Sequence, residues 1–353
     1  MTEMTSAWLQ FLAQQGAHID PATQRISGFP QTRTHEQIEQ GFVAPLTDLG
    51  LIAVSGDDGA HFLHNQLTND VEHLGAVEAR LAGYCSPKGR LLATFLMWKA
   101  GDAIMLQLPR EIQPGVQKRL QMYVLRAKAK LLDATGEYAV LGIGGRDGGT
   151  TLQKWFSRLP EAPFTKVDDD AGMLIRVADA GGSPRYQWIA PSTTAQQAWK
   201  ELSAALTAAP TATWHLGDIH AGIPQVTQAT QEQFVPQMIN FELIGGVNFK
   251  KGCYPGQEIV ARSQYLGKLK RRMILAGVDA PQVAAGMEIY SAADPEQPCG
   301  MVVNAERNTL GGFDCLVELK TAALDDGAIH LGSAGGPALA LRSLPYALPD
   351  TGA

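Results

Sequence analysis

The stretch from residue 249 to residue 262 reads FKKGCYPGQEIVAR and is the most informative part of the chain. It places Cys253 among two lysines, two glycines, a proline and a Gln-Glu pair. The glycines let the backbone bend around the thiol, and Pro255 stiffens the bend. Positive charge on Lys250 and Lys251 favours the thiolate over the thiol. The segment therefore predicts a bent loop that presents a reactive cysteine; a buried cysteine in a tight turn is the alternative.

The residues around and after this loop are strongly basic. Glu258 is the one acid between residues 250 and 272, against seven bases: Lys250, Lys251, Arg262, Lys268, Lys270, Arg271 and Arg272. In a chain with a net charge of −6, this excess of positive charge predicts a site for an anion. A partner surface and contacts with nucleic-acid phosphates are the alternatives, but the basic run after Arg262 has no interleaved aromatic residue beyond Tyr265 that could stack on a base.

Length and composition set the class of protein. The 353 residues predict two or three domains of about 100–200 residues each. A sequence pI near 5.8 argues against direct binding to duplex DNA. No apolar run reaches the roughly 20 residues that span a bilayer, and the N-terminus lacks the pattern of a signal peptide. We therefore expect a cytoplasmic protein without a membrane segment.

The four cysteines are Cys85, Cys253, Cys299 and Cys315, and no CxxC pair occurs. A structural zinc site or a self-contained iron–sulfur cluster normally needs clustered ligands, so the sequence predicts no metal site. Reduced thiols in the cytoplasm are the simplest interpretation.

The order of strand and helix patterns indicates an α+β fold, because no regular βαβ repeat occurs. The glycine-rich stretch 141–151 does not fit a dinucleotide site, since Asp147 stands where the third glycine would meet the pyrophosphate. That stretch predicts a turn and a helix N-cap instead. Alternation over Val124–Leu132 predicts a strand whose basic face either is solvated or meets a ligand.

The patterns divide the chain into three parts. Residues 1–44 form a polar N-terminal extension with a short amphipathic helix that packs on the protein. Residues 45–272 form an α+β region of two interleaved subdomains. Five short strands separated by turns predict a small C-terminal β-barrel domain over residues 273–353.

The octet KGCYPGQE at 251–258, followed by IVAR, resembles the signature of the YgfZ family. Members of that family are folate-binding proteins related in fold to the glycine-cleavage aminomethyltransferase. Further stretches that carry the resemblance are FLHNQLTNDV (62–71), SPKGR (86–90), the segment 214–224, FVPQMINFELIGGVNFKKG (234–252) and LPY (344–346). The resemblance implies an aminomethyltransferase-like folate-binding fold.

The resemblance also implies a function. Members of the family bind tetrahydrofolate in a channel and support the assembly or repair of iron–sulfur enzymes, including one that methylthiolates tRNA. It implies tetrahydrofolate, in plain or polyglutamylated form, as the ligand, and iron–sulfur enzymes or their assembly factors as partners. Cys253 is then the functional thiol, and the other motif residues are Lys251, Gly252, Tyr254, Gly256, Gln257, Glu258 and Arg262. The resemblance also assigns folate binding to Trp214, Lys251 and His220. Core packing is the alternative role for Trp214.

Departures from the related enzymes bear on catalysis. Those enzymes carry two adjacent acids where this chain has Ala93 and Thr94, so the folate nitrogen lacks an evident proton-transfer group. His220 replaces a glutamate that grips the pterin, and Leu49 replaces a second tryptophan. The sequence therefore favours an accessory protein over an enzyme. A tetrahydrofolate-dependent one-carbon transferase or demethylase is the alternative.

Overall fold

The computed structural model describes residues 6–31, 34–265, 269–324 and 327–349. Its α-helices are α1 (Ala7–Gln14), α2 (His35–Gln40), α3 (Gly59–His64), α4 (Gln113–Val124), α5 (Gly148–Leu152), α6 (Ser192–Ala205), α7 (Thr211–His220) and α8 (Gln257–Tyr265). Short 3₁₀ turns lie at Gln228–Thr230, Pro236–Ile239 and Thr321–Leu324.

The strands run through the whole chain. In order they are β1 (His18–Ile19), β2 (Ile26–Gly28), β3 (Phe42–Pro45), β4 (Leu49–Ser55), β5 (Ala79–Cys85), β6 (Leu91–Ala100), β7 (Ala103–Pro109), β8 (Lys130–Asp133), β9 (Tyr138–Gly144), β10 (Thr165–Asp169), β11 (Gly172–Ala180), β12 (Ser183–Pro191), β13 (Thr207–Ala208), β14 (Arg271–Val278), β15 (Glu288–Ser291), β16 (Asp294–Arg307), β17 (Phe313–Lys320), β18 (Ile329–Leu331) and β19 (Leu339–Arg342). Helices and mainly antiparallel sheets are mixed without a βαβ repeat, which confirms the α+β class.

The first sheet has the strand order β5-β6-β7-β4-β8, and all its pairs are antiparallel. Successive side chains of β6 point to opposite faces, as expected for a strand. Ala93, Phe95 and Met97 face the core under α3 and α4. Leu96 and Trp98 face a central core, to which all three large sheets contribute. This alternation decides which of two neighbouring residues, Ala93 or Thr94, can reach the middle of the molecule.

The second sheet has the order β10-β11-β12-β9-β3-β13 and joins distant parts of the chain. Strand β3 pairs antiparallel with β9 and parallel with β13. Helix α1 packs on the outside of this sheet against α6, with the Trp8 ring edge-on to Trp199 at 5.9 Å. Its apolar face is buried through Trp8, Leu9 and Leu12. The predicted amphipathic helix is therefore confirmed, and it packs on the protein.

The third sheet has the order β18-β15-β16-β17-β14-β19 and lies at the C-terminus. It curls until its edge strands approach, and an isolated bridge joins His330 to Ala338. The predicted small barrel is thus confirmed as a curled six-stranded antiparallel sheet, a partial barrel. Strand β18 was not among the predicted strands.

Two local predictions can be compared with the structure. The strand predicted over Val124–Leu132 is wrong for most of its length, because α4 continues to Val124 and the strand covers Lys130–Asp133 alone. Between them Leu125 is 86% exposed and has a positive φ of 46°. The turn and N-cap predicted at Asp147 are confirmed, since α5 begins at the next residue. The Asp147 carboxylate accepts a hydrogen bond from Gln40 Nε2 at 2.7 Å and does not bond to the helix N-terminus.

No helix among the described residues is long and apolar enough to cross a membrane.

Candidate functional site

Two glycine-rich turns hold the loop that carries Cys253. Gly256 has a φ of +79°, and a Cβ there would lie 2.4 Å from the carbonyl oxygen of Ser86 and 2.6 Å from Cα of Gly89. Gly89 has a φ of +69°. Both conformations favour glycine, and the backbones of the two turns touch directly. The SPKGR turn and the KGCYPGQE loop therefore fix each other's position, and α8 starts where they meet.

Lys251 bends back under the loop. Its Nζ donates hydrogen bonds to the carbonyl oxygens of Leu67 at 3.0 Å and Gly252 at 3.1 Å. It also lies 4.8 Å from the centre of the Tyr254 ring, within cation–π range. Burial lowers the pKa of Lys251 to about 8, although the negative charges of Asp70, Cys253 and Glu72 act to raise it. Lys251 thus places a positive charge beside the thiol without being a freely solvated lysine.

Cys253 is the exposed cysteine of the chain, and the other three are buried. Burial raises the pKa of Cys85 and Cys315 to about 12, and burial also raises the pKa of Cys299. Cys253 alone is therefore presented to reagents and partners. Among the described residues, no group of three or more His, Cys, Asp or Glu side chains is arranged to hold a metal ion.

The remaining motif residues have different environments. Tyr254 is buried, and burial raises the pKa of its phenol, so it stays neutral. Gln257 is half-buried at the start of α8. Glu258 and Arg262 are exposed and lie one turn apart on the outer side of α8. The motif thus combines a buried aromatic support with an exposed polar helix face.

The basic run after α8 is less available than its sequence suggests. Arg271 donates to both carboxylate oxygens of Glu318, at 2.7 and 2.6 Å. Arg272 is buried and pairs with the equally buried Glu242 at 2.5 Å. Lys268 lies outside the described residues. Two of the seven bases therefore serve internal ion pairs, which corrects the expectation that the whole run faces an anion.

Three of the positions compared with the related enzymes line one cavity. The residues around it are mostly apolar and include Leu49, Thr94 and Trp214. A wider cavity of about 960 Å³ adjoins it, and the two share Leu49, Pro109, Asp218, Ile223 and Gln225. The wall of the wider cavity comes from the N-terminal extension, the first sheet, α7 and the C-terminal sheet. Cys253 is not part of the lining of either cavity.

Trp214 has two close neighbours around its ring. The guanidinium carbon of Arg185 lies over the ring, 4.5 Å from its centre. A Cβ added to Gly142 would lie 2.3 Å from the ring, so the backbone of β9 packs against it. Trp214 is 1% exposed, although it belongs to the cavity lining. A folate contact of Trp214 stays a prediction, and stacking on this ring would require Arg185 to move.

Thr94 is the member of the Ala93–Thr94 pair that faces the cavity. Its Oγ1 accepts a hydrogen bond from the backbone N–H of Val226 at 3.0 Å. Ala93 points to the opposite face of β6. Asp218 is the one acidic residue in the lining of the apolar cavity, and its Oδ1 accepts a hydrogen bond from Arg185 at 2.9 Å. The lining therefore offers no unpaired carboxylate.

A charged cluster in the wall of the wider cavity did not follow from the sequence. His215 Nε2 lies 2.8 Å from Asp48 Oδ2, and its Nδ1 lies 3.5 Å from Asp218. Burial acts to lower the pKa of His215, but Asp48 outweighs it and raises that pKa to about 10. Arg25 pairs with Asp48 and with Glu306. One hint was present in the sequence. Asp48 and His215 are adjacent in the chain to Leu49 and Trp214, two of the positions compared with the related enzymes.

His220 is not part of the lining of either cavity. Its Nε2 lies 2.7 Å from Asp314 Oδ2 on β17. Asn308 donates to the same carboxylate at 2.9 Å, and Arg342 pairs with it at 3.1 Å. Burial acts to raise the pKa of Asp314, but these partners outweigh it and lower that pKa. In this conformation His220 ties the end of α7 to the C-terminal sheet, and its contact with folate stays a prediction.

No family model matches the sequence. The structure of glycine cleavage system aminomethyltransferase T from Bartonella henselae matches this one with a TM-score of 0.79. The match covers 97% of this chain and 98% of that chain at 14% identity. At such low identity the likeness shows the fold alone, and it confirms the predicted aminomethyltransferase-like fold.

Sequence relatives complete the comparison. The tRNA-modifying protein YgfZ of Edwardsiella ictaluri (strain 93-146) is 30% identical over 299 residues, covering 84% of this chain and 89% of that protein. The tRNA-modifying protein YgfZ of Colwellia psychrerythraea (strain 34H / ATCC BAA-681) is 31% identical over 237 residues, covering 67% of this chain and 72% of that protein. Together with the shared motif, this identity shows that the chain belongs to the family of the tRNA-modifying protein YgfZ.

Proposed function

We propose that the chain is a cytoplasmic, folate-binding accessory protein that supports the assembly or repair of iron–sulfur enzymes, including tRNA-modifying ones. It uses tetrahydrofolate, in plain or polyglutamylated form, and the thiol of Cys253. Residues 45–272 form the folate-binding region, and residues 273–353 close it from the C-terminal side. Iron–sulfur enzymes or their assembly factors are the partners.

One observation carries the folate part of the proposal. Two buried carboxamides, Gln107 and Gln187, line the apolar cavity, and neither side-chain oxygen has a hydrogen-bond partner among the described residues. Leaving a buried acceptor unsatisfied costs about 1–3 kcal/mol. Both oxygens are closed off from solvent, so a flat heterocycle with ring N–H and amino donors would satisfy them once the two side chains turn toward the cavity. The pterin of tetrahydrofolate is such a group, so these residues fit the ligand.

The wider cavity suits the rest of the molecule. Its volume of about 960 Å³ is within the range of small-molecule sites. Arg25 and His215 in its wall are already paired with Asp48, and Glu111, Asp133, Asp218 and Glu306 also line it. Arg110 is therefore the positive group that this wall leaves for a glutamate tail among the described residues. When bound, the folate would supply one-carbon carrier chemistry, and the chain itself supplies the binding groups.

We expect tetrahydrofolate to bind with micromolar or tighter affinity, and polyglutamylated forms more tightly because an added carboxylate can pair with Arg110 in the cavity wall. Gln107→Leu and Gln187→Leu should each weaken binding by about tenfold or more, because one hydrogen bond to the ligand is lost. Their free energy of unfolding should stay equal or rise, since an unsatisfied buried oxygen is removed. Titration calorimetry and urea unfolding measure the two effects.

Gln197→Leu is the matched control, because Gln197 is exposed on α6 and outside both cavities. It should change neither affinity nor stability. Absence of binding at about millimolar tetrahydrofolate, far above the expected range, would overturn the folate proposal.

A folate-dependent transferase or demethylase is the second candidate, favoured by the fold it shares with aminomethyltransferase T. We expect no aminomethyltransferase turnover, because Thr94 carries no carboxylate and Asp218 is held by Arg185. The measurement is methylene-tetrahydrofolate formation from an aminomethyl-lipoyl donor. Thr94→Asp introduces an acid that faces the cavity. This variant tests whether a carboxylate at that position is enough to give the chain transferase activity. Turnover by the natural chain at rates typical of enzymes would contradict the accessory role.

A further inference from the structure

A histidine lies against the loop that carries the exposed thiol. A Cβ added to Gly252 would stand 3.7 Å from Nε2 of His64, with no other neighbour within 4 Å. His64 is the last residue of α3, and its ring is nine-tenths buried. No hydrogen bond to either ring nitrogen occurs among the described residues. Nε2 therefore faces the backbone next to Cys253 and has no hydrogen-bond partner among the described residues.

The other ring nitrogen of His64 faces carboxylates. Nδ1 lies 3.1 Å from Asp70 Oδ1 and 3.9 Å from Glu72 Oε2, close enough for ion pairs but not aligned for hydrogen bonds. Asp70 is held in turn by His73. The backbone N–H of His73 donates to Asp70 Oδ1 at 3.1 Å, and His73 Nδ1 lies 2.9 Å from Asp70 Oδ2. Burial acts to raise the pKa of Asp70, but the His73 hydrogen bonds outweigh it and keep that pKa low.

This order of groups has a chemical consequence. Asp70 stands on the Nδ1 side of the His64 ring and Gly252 on the Nε2 side, which is the order of groups in nucleophile–histidine–carboxylate arrangements. In such arrangements Nε2 is the atom that accepts the proton of the nucleophile. Lys251 lies within electrostatic reach of Cys253, so its ammonium stabilises the thiolate left behind.

We propose that His64, positioned by Asp70, accepts the proton of the Cys253 thiol, so that the thiol attacks an S–S bond in a disulfide or persulfide substrate. The inference rests on the proposed function in one respect, that Cys253 is the working thiol. The proton moves from Sγ to Nε2, and the thiolate forms a new S–S bond with one substrate sulfur. The substrate S–S bond breaks, and its leaving thiolate takes the proton from Nε2. The exchange is balanced without a further oxidant or reductant.

The charged groups around His64 come from three segments. Helix α3 contributes His61, whose Nδ1 lies 2.7 Å from Glu72. The segment after α3 contributes Asp70 and Glu72, and the thiol loop contributes Lys251 and Cys253. The carboxylates of Asp70 and Glu72 lie beside the ring, and the ammonium of Lys251 lies on the side of the thiol. Both charges of the transferred state thus have a partner.

The test is the rate at which Cys253 exchanges with an aromatic disulfide, with the modified cysteine assigned by mass spectrometry. At about pH 7, His64→Gln should slow the reaction roughly tenfold or more, and Asp70→Asn should slow it less. At about pH 10 the variants should match the natural chain, because the thiol ionises without help there. A purely structural role would lower the rate at both pH values.

His35→Gln is the control, since His35 is exposed on α2 and should leave the rate unchanged. His64→Asn serves as a second variant if His64→Gln unfolds. A natural Cys253 that exchanges slowly would count against the proposed function. A fast natural Cys253 whose rate at about pH 7 survives both His64 substitutions would overturn this inference alone.

Discussion

Iodoacetamide near neutral pH is expected to modify Cys253 at least about 100-fold faster than Cys85, Cys299 or Cys315. Cys253 is exposed, whereas the other three thiols are buried and burial raises their pKa values, to about 12 for Cys85 and Cys315. The ammonium of Lys251 adds to the difference, because it lies within electrostatic reach of Cys253 alone among the four thiols. Graded alkylation followed by mass spectrometry of the four cysteine peptides gives the ranking directly.

Alkylation in strong urea is the control for this ranking. Unfolding removes the differences in burial, so the four rates should converge there. If Cys253 were the slowest thiol of the folded chain, it would be a structural residue, and the role assigned to the KGCYPGQE loop would be wrong.

Arg272→Met is expected to destabilise the chain by about 3–5 kcal/mol, because it leaves the carboxylate of Glu242 buried without its partner. The two side chains are 4% and 3% exposed, and Arg272 also donates to the carbonyl oxygen of Gln237 at 3.0 Å. Burial raises the pKa of Glu242, although Arg272 acts to lower it, so the ionised form is already costly. The loss of stability is measured as a lower midpoint of urea unfolding, with an unchanged slope of the unfolding free energy against urea concentration.

The double variant Arg272→Met with Glu242→Leu separates the ion pair from packing. Replacing a whole buried ion pair by apolar residues is often neutral, so stability should return to within about 1 kcal/mol of the natural chain. Lys270→Met removes a neighbouring but exposed charge and should have no effect. An unchanged midpoint for Arg272→Met alone would show that this arginine is solvated, as a basic surface run would be.

Local patterns in the sequence predicted the fold class well. The helix at Trp8, the N-cap at Asp147 and most C-terminal strands depend on residues within about ten positions of each other. The KGCYPGQE loop was predictable for the same reason, since its glycines and charges are contiguous. Its contact with the SPKGR turn joins Gly256 to Gly89 and needed the structure.

Pairings between distant residues could not be predicted. Alternation over Val124–Leu132 indicated a strand, but the backbone turns at Leu125 and leaves an apolar side chain in solvent. Arg272 was interpreted as part of a basic surface, because nothing local shows that Glu242 reaches it. Single-residue patterns do not specify which charges meet in the folded chain, and burial decides their role.

The same limit applies to the candidate site. The sequence singled out Leu49, Thr94 and Trp214, and the structure brings these three to one cavity. It could not show that Arg185 covers Trp214 or that His220 pairs with Asp314. Gln107 and Gln187 carry no motif, and they become candidates through their unsatisfied oxygens in a cavity wall.

The most direct test of the central claim is the methylthiolation of tRNA in cells that lack this protein and are supplied with Cys253→Ala. The substitution removes little packing from an exposed glycine-rich loop, so the variant should match the natural chain in protein level, melting temperature and tetrahydrofolate affinity. We predict that methylthiolation nonetheless falls to the level of cells without the protein, whereas Cys299→Ala restores it. Full methylthiolation with Cys253→Ala would contradict the account, because the proposed support of iron–sulfur enzymes would then not need the thiol.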